Sequence, residues 1–280
     1  MLTRMFKEIY AYRDLLFALA YRDIRVKYKQ AVMGILWVFF MPLLAISSGI
    51  VFRIAMAIFS GKPLELASIT GVMVKTIPWL LFASIVANAS NSLITNMGLI
   101  TKVYFPREVV PISGMLSSLF DFLISATGLV LMLVGVGIVA PYFQGSGGET
   151  APPMVVSWNL LLAPLLIALL IIMACGLGLF LAAANLFFRD VKYIVQVLLQ
   201  FGIFFSLVYF TYTELGQYGW VLLMNPVSPI LEALRCVVVE GQMDPVLWPW
   251  LGYSVIVTLL CAMAGCWVFD KAEYLFAEYA

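Results

Sequence analysis

Six long apolar stretches separated by short polar segments set the rhythm of this chain, with approximate limits 34–59, 76–99, 109–140, 158–187, 193–212 and 247–269. Each reaches the length of about 20 mostly apolar residues that a helix needs to cross a bilayer. The third and fourth are longer than required, which predicts tilt or ends that project into water. The expected fold is an all-α integral membrane protein with six transmembrane helices. Residues 34–280 form the transmembrane domain, and residues 1–33 a region ahead of it.

The polar connections differ in kind. Gln144 to Pro153, QGSGGETAPP, is punctuated by Gly and Pro and predicts a turn-rich loop. Thr213 to Val246 instead carries NPVSPILEALRCVVVEG, an apolar run broken by Glu232 and Arg235. That run is too short to span. A re-entrant or interface-lying helix before the last span is expected, since such helices are tolerated at membrane depth when buried in protein or lining a cavity. At the N-terminus, MLTRMFKEIYAYRDLLFALAYRD scatters its charges throughout and is not expected to be a cleaved signal peptide.

Composition agrees with this pattern: 64% of the 280 residues are hydrophobic and 11% charged, where an ordinary soluble domain has about 25% charged residues. The placement of charge then sets orientation. With the N-terminus in the cytoplasm, the inner side holds Arg4, Lys7, Arg13, Arg22, Arg25, Lys27, Lys29, Lys102, Arg107, Arg189, Lys192 and Lys271. The outer side holds only Lys62, Lys75 and Arg235, with Arg53 inside the first span. The excess of Lys and Arg marks the cytoplasmic side, so a multi-pass protein of the cytoplasmic (inner) membrane with both termini inside is expected. The chain has no His and four Cys, none at CxxC spacing. A His-based metal or catalytic centre is excluded, and the Cys residues read as small buried hydrophobes.

Just before the first span, YRDIRVKYKQAVMGILWVFFMPL runs a basic segment directly into an apolar one. At helical period Phe17, Tyr21, Ile24 and Tyr28 fall on one side and Arg22, Arg25 and Lys29 on another. This predicts a basic amphipathic helix in the cytoplasmic headgroup layer, its aromatics toward acyl chains and its cations, Lys27 included, toward anionic lipid or a partner. A bend near Gly34 then turns the chain into the membrane. A plain topology anchor is the alternative reading.

These residues also carry a resemblance. RDIRVKYKQAVMGILWVFFMPL, SNSLITNMGLITKVYFPREVVP, NLFFRDVKYIVQVLLQ and the closing FDKAEYLFAEYA resemble, in order and spacing, the ABC-2-type permeases that export polysaccharides, including the O-antigen and teichoic acid exporters. The resemblance implies six spans per subunit, a second copy of the chain around a central pathway, and two separate ATPase subunits that bind ATP and Mg. It also implies that the loop of Lys102, Tyr104, Phe105, Pro106, Arg107 and Glu108 is the coupling element seated on the ATPase. From the residues alone, a Tyr-Phe pair between cations suits a protein interface, with headgroup-level anchoring as the alternative.

Further candidates lie in the spans. Phe201, Phe205, Tyr209 and Tyr212 share one face if the fifth span is a continuous helix, and such an aromatic ladder suits the C–H faces of sugars; packing or lipid contact is the alternative. Ser84, Asn88, Asn91 and Thr95 form a polar stripe on the second span, either bonding neighbouring helices or lining a pathway. Asp121 and Arg53 are intramembrane charges, and such charges are functional candidates by default. They lie about 18 Å and about 28 Å into their spans, so a direct pair is not expected, and Arg53 is read as snorkelling outward.

There is no GxxxxGK[ST] loop to cradle phosphates, so energy from ATP would come from another chain. The expected function is the non-enzymatic permease subunit of an exporter moving a lipid-linked polysaccharide, in contact with membrane lipid and with no nucleic acid partner. In that reading the ATPase rocks the coupling loop and the N-terminal helix, with Arg22, Arg25, Lys27, Tyr28 and Lys29 as its gate residues. An ABC-2 exporter of drugs or lipids is one rival. A membrane-embedded glycosyl or acyl transferase is the other, disfavoured because the cytoplasmic acids are scattered. The orientation is testable by impermeant thiol labelling of whole cells in a Cys-free background: Ser146→Cys is expected to react and Lys102→Cys to stay protected. The reverse pattern would sink the orientation.

Overall fold

The computed structural model describes residues 2–29, 33–61, 65–102, 105–143 and 154–273. Two helices come first, α1 (Leu2–Ala11) and α2 (Arg13–Lys29), followed by α3 (Trp37–Ser60), α4 (Leu66–Thr95), the short α5 (Met97–Ile100) and α6 (Val109–Phe143). Then come α7 (Leu162–Phe187), α8 (Val191–Phe205), α9 (Gly219–Leu223), α10 (Val227–Arg235) and α11 (Leu247–Glu273). The loop expected over Gln144 to Pro153 lies outside the described residues, as do Lys62 and Tyr104.

Five of these helical stretches are long and apolar enough to cross a membrane: Gly34–Ser60, Leu66–Thr95, Val109–Ile138, Trp158–Phe187 and Leu247–Ala272. Four of them match the sequence limits closely, whereas the second begins ten residues before the expected 76. The centre of the bundle is α4, packed by α6 and α7 along its length and by α3, α8 and α10 in part. Helices α7 and α11 approach at glycine: a Cβ on Gly265 would lie 2.0 Å from the Gly176 carbonyl oxygen, and one on Gly176 2.6 Å from Ala262 backbone. With lipid as apolar as any side chain, this close backbone contact is what drives helices together in a membrane.

Local chemistry explains where helices bend and stop. A 3₁₀ turn, Gly34–Leu36, leads into α3, with Gly34 at φ +52°. Pro42 inside α3 lacks the N–H that would bond the Val38 carbonyl, and Ser125 of α6 donates to that carbonyl instead, at 3.2 Å. Gly61 closes the helix in the left-handed conformation that a glycine C-cap adopts without strain.

The fifth expected span, 193–212, is not one helix. Helix α8 has 15 residues, about 22 Å of rise against a hydrocarbon core of about 30 Å. It stops because Asn225 Nδ2 and Ser228 Oγ donate to the Phe205 carbonyl, at 3.2 and 3.4 Å, and Leu207 turns left-handed at φ +54° while fully buried. The chain then makes a 3₁₀ segment, Tyr212–Tyr218, turns inward through α9, and returns along α10 and a π-helical turn, Cys236–Glu240. Tyr253 Oη donates to the Met224 carbonyl and Ser254 Oγ to that of Pro226, which sets the vertex of this hairpin about two turns into α11.

Three cations depart from the sequence reading. Lys75 lies within α4 rather than ahead of the second span, Arg235, counted among the outer-side cations, is buried on α10, and Arg53 does not snorkel. Lys75 is fully buried in α4, with Nζ 3.0 Å from Glu232 Oε2 and 2.5 Å from the Phe210 carbonyl oxygen. Arg235 donates to Glu232 Oε1 at 2.7 Å and to Glu240 at 2.6 Å. Its side chain runs over Gly71, where a Cβ would come within 3.1 Å of Arg235 Cδ. Arg53 is buried and pairs with Glu214 of the 3₁₀ segment. Lys75 is the one charge in 66–75, where Ser68 and Thr70 bond back to nearby carbonyls, so the helix extends once the hairpin supplies a carboxylate for the lysine.

Breaking a buried pair leaves an uncompensated charge and costs about 3–5 kcal/mol. Glu232→Ala is accordingly expected to lower the melting temperature of the detergent-solubilised protein sharply. The Lys75→Met/Glu232→Gln pair, which removes both charges and keeps a partner for Arg235, should lose less; equal losses would show that the ion pair is not what holds the hairpin.

Candidate functional site

Three regions gather the polar chemistry of the bundle. The first is the seat of α2 on α6. Leu16, Leu19 and Ala20 are the buried face of α2, while Phe17 and Tyr21 are exposed. Tyr28 departs from that face: its hydroxyl donates to Asp121 Oδ1 at 2.5 Å, and Lys27 pairs with Asp121 Oδ2. Arg22 donates to Asn96 Oδ1 at 2.6 Å, at the end of α4. Arg25 lies over the Tyr21 ring at 5.6 Å, and Lys29 is exposed. Burial first, then the hydrogen bond to Asp121, raises the pKa of Tyr28 well above that of an ordinary tyrosine, so the hydroxyl remains a donor at any physiological pH. Asp121 does not pair with Arg53. Its intramembrane charge is met by the helix that precedes the first span.

The second region is the 101–108 loop. Lys102 is exposed, and Pro106 and Arg107 are half-buried. Phe105 is not the exposed aromatic expected: only 6% of it is accessible, and it belongs to the main apolar core. Glu108 is buried as well. The reason is the tight turn onto α6, in which Val109 N–H bonds the Pro106 carbonyl at 3.2 Å and draws Phe105 under the helix start.

The third is a cleft of about 540 Å³ between α4 and α8, lined on α4 by Trp79, Ser84 and Asn91 and on α8 by Lys192, Gln196 and Gln200, among others. The expected polar stripe divides here. Ser84 and Asn91 open onto the cleft, whereas Asn88 donates to Ser118 Oγ of α6 at 2.7 Å and Thr95 bonds back to the Asn91 carbonyl. The aromatic ladder divides too, because α8 ends at Phe205. Phe201 and Phe205 are exposed on α8. Tyr209 is buried on α3, with its ring stacked on Phe52 at 5.9 Å and its hydroxyl 3.0 Å from Ser48 Oγ. Tyr212 donates to Asp244.

Sequence reading missed Lys192, Gln196, Gln200 and Asn185. The first three recur every four residues along an otherwise apolar helix, a signal that was legible. Asn185 was not: it is fully buried near the end of α7, donates to the Ser90 carbonyl at 2.8 Å and to Asn91 Oδ1 at 3.4 Å, and accepts from Lys192 N–H at 3.2 Å. It thereby pins the first turn of α8 to α4. At the deep end Gly202 lets α8 lie against Trp79, where a Cβ would be 2.7 Å from the indole.

Five helices long and apolar enough to cross a bilayer define a multi-pass membrane protein. The sequence profile of the ABC-2 type transporter family matches residues 14–239, and the chain belongs to that family. It is similar to the O-antigen export system permease protein RfbA of Klebsiella pneumoniae, with 25% identity over 267 residues, 95% of this chain and 94% of the relative. It is likewise similar to the O-antigen export system permease protein RfbA of Myxococcus xanthus, with 26% identity over 280 residues, 99% of each chain.

The seat of α2 on α6 yields a prediction. Hydrogen bonds to a charged group contribute about 1.5–3 kcal/mol, so Asp121→Ala is expected to speed amide hydrogen exchange across 13–29 by about tenfold or more, while exchange in α7 stays unchanged. Unaltered exchange in α2 would mean that its apolar face alone holds it.

Proposed function

We propose that the chain is the permease subunit of an ABC exporter that moves a lipid-linked polysaccharide out of the cytoplasm. The observation that carries this reading is similarity along almost the whole chain to two permeases, from two different bacteria, both named for O-antigen export. A drug or lipid exporter has no comparable observation in its favour.

In this reading the protein itself performs no hydrolysis, and a separate ATPase chain, in two copies, supplies the energy to a dimer of permeases in the inner membrane. The 101–108 loop is the docking element. Phe105 acts from within as its anchor, and Lys102, Tyr104 and Arg107 are left to meet the partner. Helix α2, held through Asp121, transmits the motion of the loop to the bundle. The sixth crossing is made jointly by α8 and the 206–218 segment, and the hairpin through α9 and α10 is re-entrant from the outer side. Both termini lie in the cytoplasm.

The polymer would run along the face where α4 and α8 meet. Ser84, Asn91, Gln196 and Gln200 offer hydrogen bonds to hydroxyls, and the neighbouring rings of Phe201 and Phe205 offer flat apolar surface to pyranose C–H groups. Repeated weak contacts of this kind let a long chain slide without a deep well.

A strain lacking the gene should accumulate polymer inside the cell and regain surface polysaccharide on complementation. Phe201→Leu/Phe205→Leu keeps apolar volume and removes the ring faces; it should lower surface polysaccharide severalfold at unchanged membrane abundance. A deletion strain with normal surface polysaccharide would sink the export reading, and full export by the double variant would remove the rings from the pathway.

A further inference from the structure

Four cations in or against the spanning helices are matched by carboxylates: Lys27 by Asp121, Arg53 by Glu214, Lys75 by Glu232, and Arg235 by Glu232 and Glu240. Lys192 is different. Among the described residues it forms no ion pair, and its ammonium lies 4.7 Å from the centre of the Tyr193 ring, a contact that leaves its N–H donors open. It stands at the mouth of the α4–α8 cleft, where Asn185 fixes its backbone against Asn91.

The rest of the lining sharpens the question of what fills this space. Gln196 and Gln200 are exposed on an apolar helix and make no hydrogen bond among the described residues. An amide left facing hydrocarbon is costly, because a bilayer core offers it no partner. A polar occupant of the cleft would supply those partners, seated among the apolar lining of Leu80, Ala83, Val195 and Leu199. Its volume of about 540 Å³ falls within the range typical of small-ligand sites, about 300–1,000 Å³. An open ammonium at one end calls for an anion there, and amides farther along call for hydroxyls.

We propose that the cleft binds the headgroup of a lipid-linked substrate, with the Lys192 ammonium contacting its phosphate and Asn91, Gln196 and Gln200 contacting the first sugars. The inference rests on the export reading for the identity of the sugars. The phosphate contact stands on the geometry of Lys192 alone. Lys192 is the recognition residue, and Asn185 is a positioning residue that sets the height of Lys192 on α4. A single phosphate-bearing end then seats at the start of α8 while the sugars that follow lie along the amides.

The test is binding by the purified full-length protein in detergent, read by native mass spectrometry. Geranylgeranyl diphosphate is the probe, and geranylgeraniol, which lacks the phosphates, is the control. The wild type should bind the diphosphate and not the alcohol. Lys192→Ala should weaken binding by about tenfold or more, the effect of losing a hydrogen bond to a charged group, while Lys192→Arg, with the same charge, should retain it. An unchanged gel-filtration profile and the Arg variant separate loss of contact from misfolding. Equal binding by Lys192→Ala and wild type would overturn the proposal. So would displacement of the probe by dioleoylphosphatidylglycerol at equal concentration, which would assign the site to ordinary bilayer lipid. Binding and export fail separately: Lys192-dependent binding without polysaccharide export removes the export reading, and export without Lys192-dependent binding removes this inference.

Discussion

The buried cluster of Lys75, Glu232 and Arg235 is the constraint on which one half of the bundle depends. Two charges withdrawn from water repel or cost several kcal/mol each unless geometry and hydrogen bonds compensate them. Here the ammonium of Lys75 is shared between the Glu232 carboxylate and the Phe210 carbonyl, and the second carboxylate oxygen takes Arg235. One lysine on α4 thus reaches both limbs of the hairpin, the strand of chain just after α8 breaks and the helix that returns from its vertex. Gly71 leaves the room for Arg235 that any side chain would occupy. Arg53 with Glu214 repeats the device at the α3 side.

The chain that meets this cluster begins where α8 ends. Past Phe205 it turns through a left-handed Leu207, an uncommon conformation for a branched aliphatic residue, and brings the Phe210 carbonyl to Lys75. Asn225 and Ser228 cap the freed end. The shortened helix then presents two different surfaces: Phe201 and Phe205 outward, and Lys192, Gln196 and Gln200 toward α4. The cleft is a consequence of two helices of unequal length and patterning being pinned together at Asn185 and again at the contact of Gly202 with Trp79.

At the opposite end the same rule operates through Asp121. A carboxylate within a spanning helix finds its partners in Lys27 and Tyr28, which lie on a helix of a different character. The α2 segment is consequently docked, with Leu16, Leu19 and Ala20 buried and the aromatic pair of Phe17 and Tyr21 left exposed. Membrane proteins resolve intramembrane charge in this way because lipid offers no alternative partner.

Hydropathy alone determined the all-helical class and the positions of four of the five long helices, because a bilayer demands apolar length and nothing subtler. Periodicity likewise revealed the exposed Phe17 and Tyr21, and Ser84 and Asn91 of the polar stripe. What it could not supply was partners. Lys75 counts as a charge ahead of its span and Arg235 as a break in an apolar run until Glu232 is seen to pair with both, Phe105 counts as exposed until the turn onto α6 draws it inward, and the aromatic ladder is continuous until Asn225 takes the Phe205 carbonyl. Each of these depends on residues far away in the chain, joined by hydrogen bonds and ion pairs whose value exists only in a low-dielectric interior. Local pattern records how a segment meets its solvent; tertiary structure decides which polar groups replace that solvent.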